Sequence, residues 1–400
     1  MKRRLSNQGG YAPLVPPANQ GGYTPLVPPA NQGGDAPLVA PAPGDWPRAK
    51  PEDAGMDPRR LDDAIAYHRA HETRWRRDFL LDDGCFIGVA DEPQSAGGVL
   101  GPVRPRGGPS GLVVRGGRVV ADWGDTERVE MSFSIAKSYL AALAGVAVAH
   151  GLIETIDDPV RDYATDNAFV SEQNRAITWR HLLQQTSEWS GTLFGKPDSI
   201  DHNRDLGKAD FGQTDKGVPR PMRPPGTLWE YNDVRVNRLS LSLLQLFRSP
   251  LADVLRDAIM APIGASSTWE WRPYANAWVE IDGRQMPSVP GGSHWGGGLW
   301  MSARDHARFG LLHLRRGRWG DAQILPASWI DECRQPCAIN PEYGLMWWLD
   351  VGRTGAWAAR GAGSSLVWID PDDDLVAVVR WIDKPHIGGF LERLLDAVER

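Results

Sequence analysis

The stretch of sequence that decides the fold is residues 131–153, MSFSIAKSYLAALAGVAVAHGLI. Apolar residues fill almost every position from 140 to 148, which predicts a helix buried on all sides rather than an amphipathic surface helix. Lys137 lies near the start of this helix. Burying an ammonium without a partner costs several kcal/mol, so burial favours a lowered pKa and an uncharged amine that can accept a proton.

Ser134 precedes Lys137 by three residues, so the two side chains share one helical face. It also lies at the helix start, where unpaired backbone N–H groups and the positive end of the helix dipole favour developing negative charge. The pair is the only Ser-x-x-Lys in the sequence. It predicts a nucleophile with its base. The structural alternative is a serine that caps a core helix and a lysine that extends to the surface.

Composition excludes several classes of protein. The 400 residues, 42% of them apolar, can bury a core large enough for one big domain or two. The net charge of -6 does not indicate a nucleic-acid-binding protein, because such proteins present a basic surface to the phosphates. The longest apolar run is too short to span a bilayer, so we expect no membrane segment. Three cysteines, Cys85, Cys333 and Cys337, are too few for a disulfide framework and lack the second pair of a zinc site.

The N-terminal part is predicted to be a tail. Residues 7–42 repeat a Pro- and Gly-rich dodecamer three times, beginning with NQGGYAPLVPPA, which predicts a disordered segment over residues 1–44. Its Pro-Leu-Val-Pro units leave open an interaction role. The basic start, Met-Lys-Arg-Arg, runs into Asn-Gln-Gly-Gly without an apolar segment, so it does not resemble a secretory signal, and we expect a cytoplasmic protein.

The remaining residues, 45–400, predict one α+β domain. A helix is expected at 58–70, behind an Asp-Pro start, and a hairpin at 111–123, around Gly116-Gly117. Residues 152–260 are expected to be a mostly helical insertion. Short strands follow at 345–349, 356–359, 366–369 and 375–381, with a closing helix at 390–398. Strands at both chain ends predict one antiparallel sheet with helices against it and the catalytic groups beside the insertion.

Other segments carry further candidates. Tyr231 follows a Pro-Pro-Gly turn and precedes a helix, where a nearby cation such as Lys137 would let it relay a proton. The glycines of GGSHWGGGL, residues 291–299, are expected to let the backbone pass close to another element. Gly361-Ala-Gly precedes a strand and can offer a backbone N–H at a cleft edge. Trp189, Trp295 and Trp300 are candidates for an aromatic pocket or for the core.

Rival chemistries are less well supported. No Gly-x-Ser-x-Gly or His-Glu-x-x-His segment is present. His294 or His306 would serve a Ser-His-Asp triad only if the fold brought it to a serine. Asp201, His202 and Asp205 are possible metal ligands, although a solvated loop is the simpler interpretation. We therefore expect no metal and no cofactor.

Four segments in this order resemble the serine beta-lactamase-related family: Phe133-Ser-Ile-Ala-Lys-Ser, Tyr231-Asn-Asp, Gly297-Gly-Leu-Trp-Met-Ser-Ala-Arg-Asp and Gly361-Ala-Gly. That family includes class C beta-lactamases, penicillin-binding-type esterases, D-aminopeptidases and 6-aminohexanoate-dimer hydrolases. The resemblance implies a penicillin-recognising fold, with an antiparallel sheet flanked by helices and a mostly helical second region. It implies Ser134 as nucleophile, Lys137 as base, Tyr231 as proton relay, and the backbone N–H groups of Ser134 and Ala362 as oxyanion hole.

The sequence departs from the family pattern at two places. The family's Tyr-x-Asn is here Tyr231-Asn232-Asp233, and its Lys/His-Thr-Gly is Ala359-Arg360-Gly361. Both departures favour hydrolysis of an ester or small amide over beta-lactamase action. The expected substrate contacts are completed by one set of residues: Asn232, Asp233, Trp189, Gly361 and Gly363. The alternatives are a true beta-lactamase or D-aminopeptidase, a non-catalytic binding protein with the same fold, and an interaction protein acting through the tail.

Overall fold

A computed structural model describes residues 40–44, 46–93, 97–207 and 212–399. The predicted tail therefore lies outside the described residues except at its end, and so does the predicted boundary at residue 45. Residues 40–44 contact the folded body, because Arg308 donates hydrogen bonds to the carbonyls of Pro41 (3.0 Å) and Ala42 (2.8 Å). Pro41 is buried.

The described residues form eight helices and fifteen short strands. The helices are α1 (Pro58–Ala70), α2 (Ala136–Ala149), α3 (Trp179–Leu183), α4 (Asp233–Phe247), α5 (Leu251–Leu255), α6 (Ala303–Leu314), α7 (Ala327–Cys333) and α8 (Ile387–Asp396). The strands are β1 (Ser110–Arg115), β2 (Arg118–Trp123), β3 (Glu130–Met131), β4 (Thr192–Leu193), β5 (Lys196–Pro197), β6 (Glu270–Arg272), β7 (Trp278–Ile281), β8 (Arg284–Pro287), β9 (Gly298–Met301), β10 (Arg318–Trp319), β11 (Ala322–Gln323), β12 (Trp348–Leu349), β13 (Trp357–Gly361), β14 (Ser365–Asp370) and β15 (Leu375–Arg380).

The main sheet joins the two ends of the folded region. Its six strands run in the order β12-β13-β14-β15-β1-β2, and each neighbouring pair is antiparallel. The hairpin of β1 and β2 turns at Gly116-Gly117, both with positive φ, as a two-residue hairpin turn requires. Because β1 pairs with β15, the predicted single sheet of N- and C-terminal segments is confirmed.

Helices cover both faces of this sheet. On one face α1 packs against α8, and their apolar residues form a cluster with alternate strand residues such as Val113 and Leu366. On the other face α6 packs against β14 and β15, and the strand neighbours Leu112 and Val367 join the larger cluster. The central strands are therefore buried on both sides, which explains why their sequences are continuously apolar.

The helix predicted around residues 140–148 is the centre of the larger cluster. In α2, 12 of the 14 residues are buried, including Lys137. Gly145 allows the indole of Trp329 to approach the helix, since a Cβ at this position would lie 2.4 Å from that ring. Trp329 in turn donates its indole N–H to the carbonyl of Ala141, at 3.1 Å. A helix held this way gives its first turn a fixed position.

The insertion contains less helix than the sequence predicts. Between α2 and α4 the only α-helix among the described residues is α3, which has five residues, and most of the rest is turn, 3-10 helix and the β4-β5 pair. Asn and Asp side chains satisfy this backbone locally, for example Asp166 at the start of a 3-10 turn. The end of the predicted insertion is helical, because α4 begins at Asp233 and α5 is followed by one π-turn, Arg256–Met260.

Candidate active site

Ser134 lies in a 3-10 turn, Phe133–Ile135, that leads directly into α2. The preceding residue, Phe133, has a φ of 48°, a conformation that costs a bulky residue about 1–3 kcal/mol. Its ring is held edge-on by Trp75 at 5.7 Å and Phe79 at 5.5 Å between ring centroids. This aromatic packing keeps the strained turn in place and so fixes the position of the Ser134 hydroxyl.

Lys137 contacts the hydroxyl as the sequence predicts. Its Nζ lies 2.9 Å from Ser134 Oγ, 2.5 Å from Asp233 Oδ1 and 3.3 Å from the carbonyl oxygen of Gly291. An ammonium has three N–H donors, and these three acceptors match them.

The predicted charge of Lys137 is corrected by the structure. Burial alone would lower the pKa of the Lys137 amine, but the Asp233 carboxylate beside it raises the pKa above its ordinary value. The resting site therefore holds an ammonium rather than an uncharged amine. The prediction failed because the counter-ion lies 96 residues away in the chain.

Asp233 is positioned at the first residue of α4, where the helix dipole favours a carboxylate. Its Oδ2 accepts a hydrogen bond from Arg204 Nη1 at 2.7 Å and lies 3.4 Å from His294 Nδ1. Burial would raise the pKa of the Asp233 carboxyl, but Lys137 and Arg204 hold it well below its usual value. The site thus contains a buried carboxylate shared among several cationic groups.

Tyr231 packs against the same lysine. The Lys137 Nζ lies 4.6 Å from the centroid of the Tyr231 ring, within the range of a cation–π contact. The ring also stacks on Trp348, with centroids 6.0 Å apart and planes 27° apart. Ser134, Lys137 and Tyr231, which the sequence predicted to act together, are therefore neighbours in the structure.

Asn232 is predicted to contact the substrate, but in the structure it does not line the cleft. It is fully buried, and its Oδ1 caps α4 by accepting the N–H of Arg235 at 3.1 Å, while its Nδ2 donates to the carbonyl of Asp198 at 2.8 Å. Both ends of the amide are thus occupied by protein groups. The neighbouring Asp233 takes the position beside Lys137.

A cleft of about 760 Å³ opens over Ser134. Gly361, Ala362 and Gly363 form part of its wall, at the end of β13. A Cβ at position 361 would lie 2.5 Å from the carbonyl oxygen of Ser132, so glycine is what lets this strand end run against the turn that carries Ser134. Ala362 and Ser134 consequently line the same cleft.

The three candidate tryptophans lie in the core, which is the second of the two alternatives that the sequence left open. Trp189, Trp295 and Trp300 are at most 3% exposed and do not line the cleft. The indole N–H of Trp189 is used internally, donating to the carbonyl of Ala168 at 2.9 Å. Trp229 and Trp348 provide the aromatic wall instead. Tryptophan content alone does not reveal which rings reach the surface, because 18 tryptophans are shared between core and cleft.

The glycine-rich loop passes directly over the reacting groups. A Cβ on Gly292 would lie 3.2 Å from Lys137 Nζ, 3.3 Å from Asp233 Oδ1 and 3.5 Å from Ser134 Oγ. The prediction that these glycines permit a close backbone approach is confirmed, and the element approached is the candidate active site. Sequence reasoning missed the loop as a site element, although its glycine density was the available signal.

The residues considered above as metal ligands or as a triad histidine have other roles. Among the described residues, no cluster of three or more His, Cys, Asp or Glu side chains is arranged to hold a metal ion. Asp201 and His202 are buried, and His202 pairs with Asp198 at 3.1 Å. His306 contacts the hydroxyl of Ser132, 2.8 Å away, rather than that of Ser134. Within the part of the chain that the structure describes, every helix is too short or too polar to cross a bilayer.

A family model for beta-lactamase matches residues 105–385. The chain belongs to the beta-lactamase family. Members of this family are generally serine hydrolases, and its fold, an antiparallel sheet with helices, is the one described above. The predicted fold class and the family resemblance are thereby confirmed.

Individual relatives of this beta-lactamase family chain are distant. A provisionally named 6-aminohexanoate-dimer hydrolase from Bacillus anthracis is similar over 92% of this chain and 90% of its own, with a TM-score of 0.57 and 16% identity. EstCE1, described as a hydrolase with promiscuous acyltransferase activity, is similar over 85% of this chain and 100% of its own, with a TM-score of 0.53 and 17% identity. A protein of Alkalihalophilus pseudofirmus is 22% identical over 271 residues, covering 61% of this chain and 71% of that protein. At these identities the likeness shows the fold.

Proposed function

We propose that this protein is a serine hydrolase that cleaves an ester or small amide through an acyl-enzyme at Ser134. The observation that carries the proposal is the 2.9 Å contact between Ser134 Oγ and Lys137 Nζ beside a cleft large enough for a small molecule. A nucleophile, an amine that becomes a base once it loses its resting proton, and an accessible cavity coincide at this contact.

In the acylation step, Ser134 Oγ bonds to the substrate carbonyl carbon while its proton passes to the amine of Lys137. Before this step the ammonium of Lys137 releases its resting proton to solvent water, so that the amine is free to accept the proton of Ser134. The carbonyl oxygen becomes an oxyanion, for which the backbone N–H groups of Ser134 and Ala362 are the proposed donors. Collapse breaks the bond to the leaving group, which takes the proton from Lys137 through the Tyr231 hydroxyl.

Deacylation repeats the same chemical steps, with a water molecule as the nucleophile. A water molecule adds to the acyl carbon, loses a proton to Lys137 or Tyr231, and displaces Ser134, which recovers that proton. The products are the free acid and the alcohol or amine. The proposed cycle uses only groups of this chain.

Three features support an ester or small amide over a beta-lactam as substrate. Asp233 stands where the family has an amide, and it contacts Lys137 rather than the cleft. The Arg360 guanidinium lies 5.1 Å from the centroid of the Trp348 ring, within cation–π range of the aromatic wall. That wall, with Trp229 beside Trp348, suits a flat apolar acyl or leaving group.

A second candidate is a binding protein that keeps the cleft without turnover. The observation that favours it is the ion pair between Lys137 and Asp233, which withholds the base from the serine in the resting state. The two candidates differ in whether Ser134 becomes acylated and is then released.

The test is covalent labelling with a fluorophosphonate probe, read by intact-protein mass, on the wild type, Ser134→Ala and Ser190→Ala. Ser190 is an exposed serine that does not line the cleft, so its variant controls for non-specific labelling. We expect one label on the wild type and on Ser190→Ala and none on Ser134→Ala. Equal labelling of all three proteins would remove Ser134 from the role.

Turnover separates the two candidates. We expect the wild type to hydrolyse p-nitrophenyl esters or short amino-acyl amides in preference to nitrocefin, and Ser134→Ala to lose at least about 10³-fold of that activity. Labelling without turnover on any of these substrates would favour the binding protein.

A further inference from the structure

Two residues with buried side chains, His294 and Glu92, extend from the Asp233 oxygen that does not contact Lys137. His294 Nδ1 is 3.4 Å from Asp233 Oδ2, and His294 Nε2 is 2.8 Å from Glu92 Oε1. Together with the 2.5 Å contact between Asp233 and Lys137, these contacts form a continuous chain from Glu92 to the amine. The chain of contacts links four separate parts of the sequence, and residue 92 precedes the region matched by the family model.

Glu92 is built into this position rather than exposed there by chance. Its side chain is 2% exposed, and the indole N–H of Trp295 donates to its carboxylate at 2.8 Å. Lys196 Nζ lies 3.0 Å away and Lys216 Nζ 3.8 Å away. A glutamate buried to this degree is costly unless it is paired, so the surrounding groups hold a charged carboxylate at this point.

The groups that face His294 are mostly acidic. Asp233 and Glu92 contact its two ring nitrogens. Two further charges act on the imidazole: the carboxylate of Asp201 raises its pKa, and the ammonium of Lys216 lowers it. Burial would lower the pKa of the His294 imidazole, but the contacts with Asp233 and Glu92 raise it above its ordinary value. These two carboxylate contacts therefore favour the protonated, positively charged form of the His294 imidazole.

We propose that His294 and Glu92 are positioning residues of the candidate active site. In this arrangement Glu92 orients the imidazole of His294 toward Asp233, and the imidazole shares the charge of the Asp233 carboxylate with Lys137. This inference rests on the proposed function, since it concerns how easily Lys137 acts as a base.

The arrangement offsets the departure of the sequence from the family's amide. A carboxylate beside Lys137 holds the ammonium more strongly than an amide would. Arg204 and His294 both lie against the other oxygen of that carboxylate and reduce its hold on the lysine proton. Removing the imidazole charge would leave more of the carboxylate's attraction to Lys137.

The experiment compares kcat/KM against pH for the wild type, His294→Gln, Glu92→Gln and His313→Gln. His313 is another histidine with a buried side chain, which bonds to the carbonyl of Phe309 in its own helix, outside the site. We expect the rising limb to move to higher pH in His294→Gln, so that kcat/KM at neutral pH falls at least about threefold. KM should change little. Glu92→Gln should also move the rising limb of the pH profile to higher pH, but by less. This substitution removes the negative charge of Glu92 as well as favouring the neutral imidazole of His294, and the two changes act on Lys137 in opposite directions.

A second measurement does not depend on hydrolysis. The imidazole nitrogens of His294 can be followed by NMR in the wild type and in Glu92→Gln. We expect His294 to stay protonated above the pH at which an ordinary histidine loses its proton, and to lose that proton at lower pH when Glu92 is replaced. If the wild type showed this signature without turnover, the proposed function would fail while the positioning of His294 stood. A neutral His294 at pH 7, or a folded His294→Gln with the wild-type pH profile, would overturn the inference.

Discussion

Lys137 Nζ lies 2.5 Å from Asp233 Oδ1, closer than it lies to the serine hydroxyl that it would deprotonate. The two charges are both buried, and each moves the pKa of the other, upward for the lysine and downward for the aspartate. In the resting site the Asp233 carboxylate therefore holds Lys137 in its ammonium form. The pH at which Lys137 becomes a base depends on this contact.

Asp233→Asn should therefore move the pH profile to lower pH. Without the carboxylate, burial is the dominant effect on Lys137 and lowers the pKa of its amine. The uncharged amine is the basic form, which is present above that pKa, so a lower pKa extends activity toward acid. We expect kcat/KM at neutral pH to rise and its rising limb to shift down by about one pH unit or more. A profile that kept its position would show that Lys137 is not the titrating base.

Lys137→Met tests the base directly. The substitution shortens the side chain by one atom and leaves Asp233 paired with Arg204 and near His294, so the fold should survive. We expect kcat to fall by about 10²–10⁴, with KM changing far less, since the amine acts in the chemical step. A comparable loss in KM alone would assign Lys137 to substrate binding. Thermal unfolding of both proteins is the control for folding.

The core of the site could be predicted because it is local. Ser134 and Lys137 are three residues apart on a helix whose apolar pattern is unmistakable, so their contact follows from helix geometry. Tyr231 was found through the turn and helix that flank it. The contact between Ser134 and Lys137 needs no knowledge of how distant segments meet, whereas the approach of Tyr231 to Lys137 does.

What could not be predicted depends on long-range contacts. The choice between Asn232 and Asp233 turns on which of two adjacent side chains points to Lys137, and the helix start decides it by using Asn232 as its cap. Glu92 and His294 are 202 residues apart in the sequence; Glu92 belongs to no motif, and His294 was a candidate only for a triad with a serine. Which tryptophans line the cleft is likewise settled only by packing.

Gly292→Ala should impair the chemistry while sparing the cleft. The added Cβ would lie within 3.5 Å of Ser134 Oγ and closer still to the Lys137 and Asp233 atoms that contact each other. Displacement of these groups by a fraction of an ångström is enough to lower kcat, by about 10–100-fold. We expect KM to stay within about twofold, because Gly292 does not line the large cleft. Steady-state kinetics of Gly292→Ala, of the wild type and of Gly388→Ala measures this. Gly388 lies on α8 and has no atom within 4 Å of an added Cβ, so its variant is the control.

The charge of the cleft should select among substrates. Five basic and three acidic side chains are among its described lining residues: Arg204, Arg220, Arg223, Arg360, Lys384, Asp205, Glu230 and Glu342. We expect an aryl ester with a carboxylate on its acyl group to have a kcat/KM roughly 3–10-fold above that of a matched ester with a quaternary ammonium. The ratio should fall in high salt. Arg223→Gln, at an exposed position, should reduce it, and a ratio below one would contradict the prediction.

The rigidity of the first turn of α2 can be tested through the contact between Gly145 and Trp329. In Gly145→Val the side chain would enter the space of the indole ring, since even a Cβ would lie 2.4 Å from it. Overpacking of this kind lowers the free energy of unfolding by about 1–3 kcal/mol. Gly388→Ala, which has no atom within 4 Å of the new Cβ, should instead raise it by about 0.5–1 kcal/mol through lost backbone freedom in the unfolded chain. Urea unfolding of the two variants beside the wild type measures both. If Gly145→Val were as stable as the wild type, α2 would not be held as tightly as this packing requires, and the fixed position of Ser134 would need another cause.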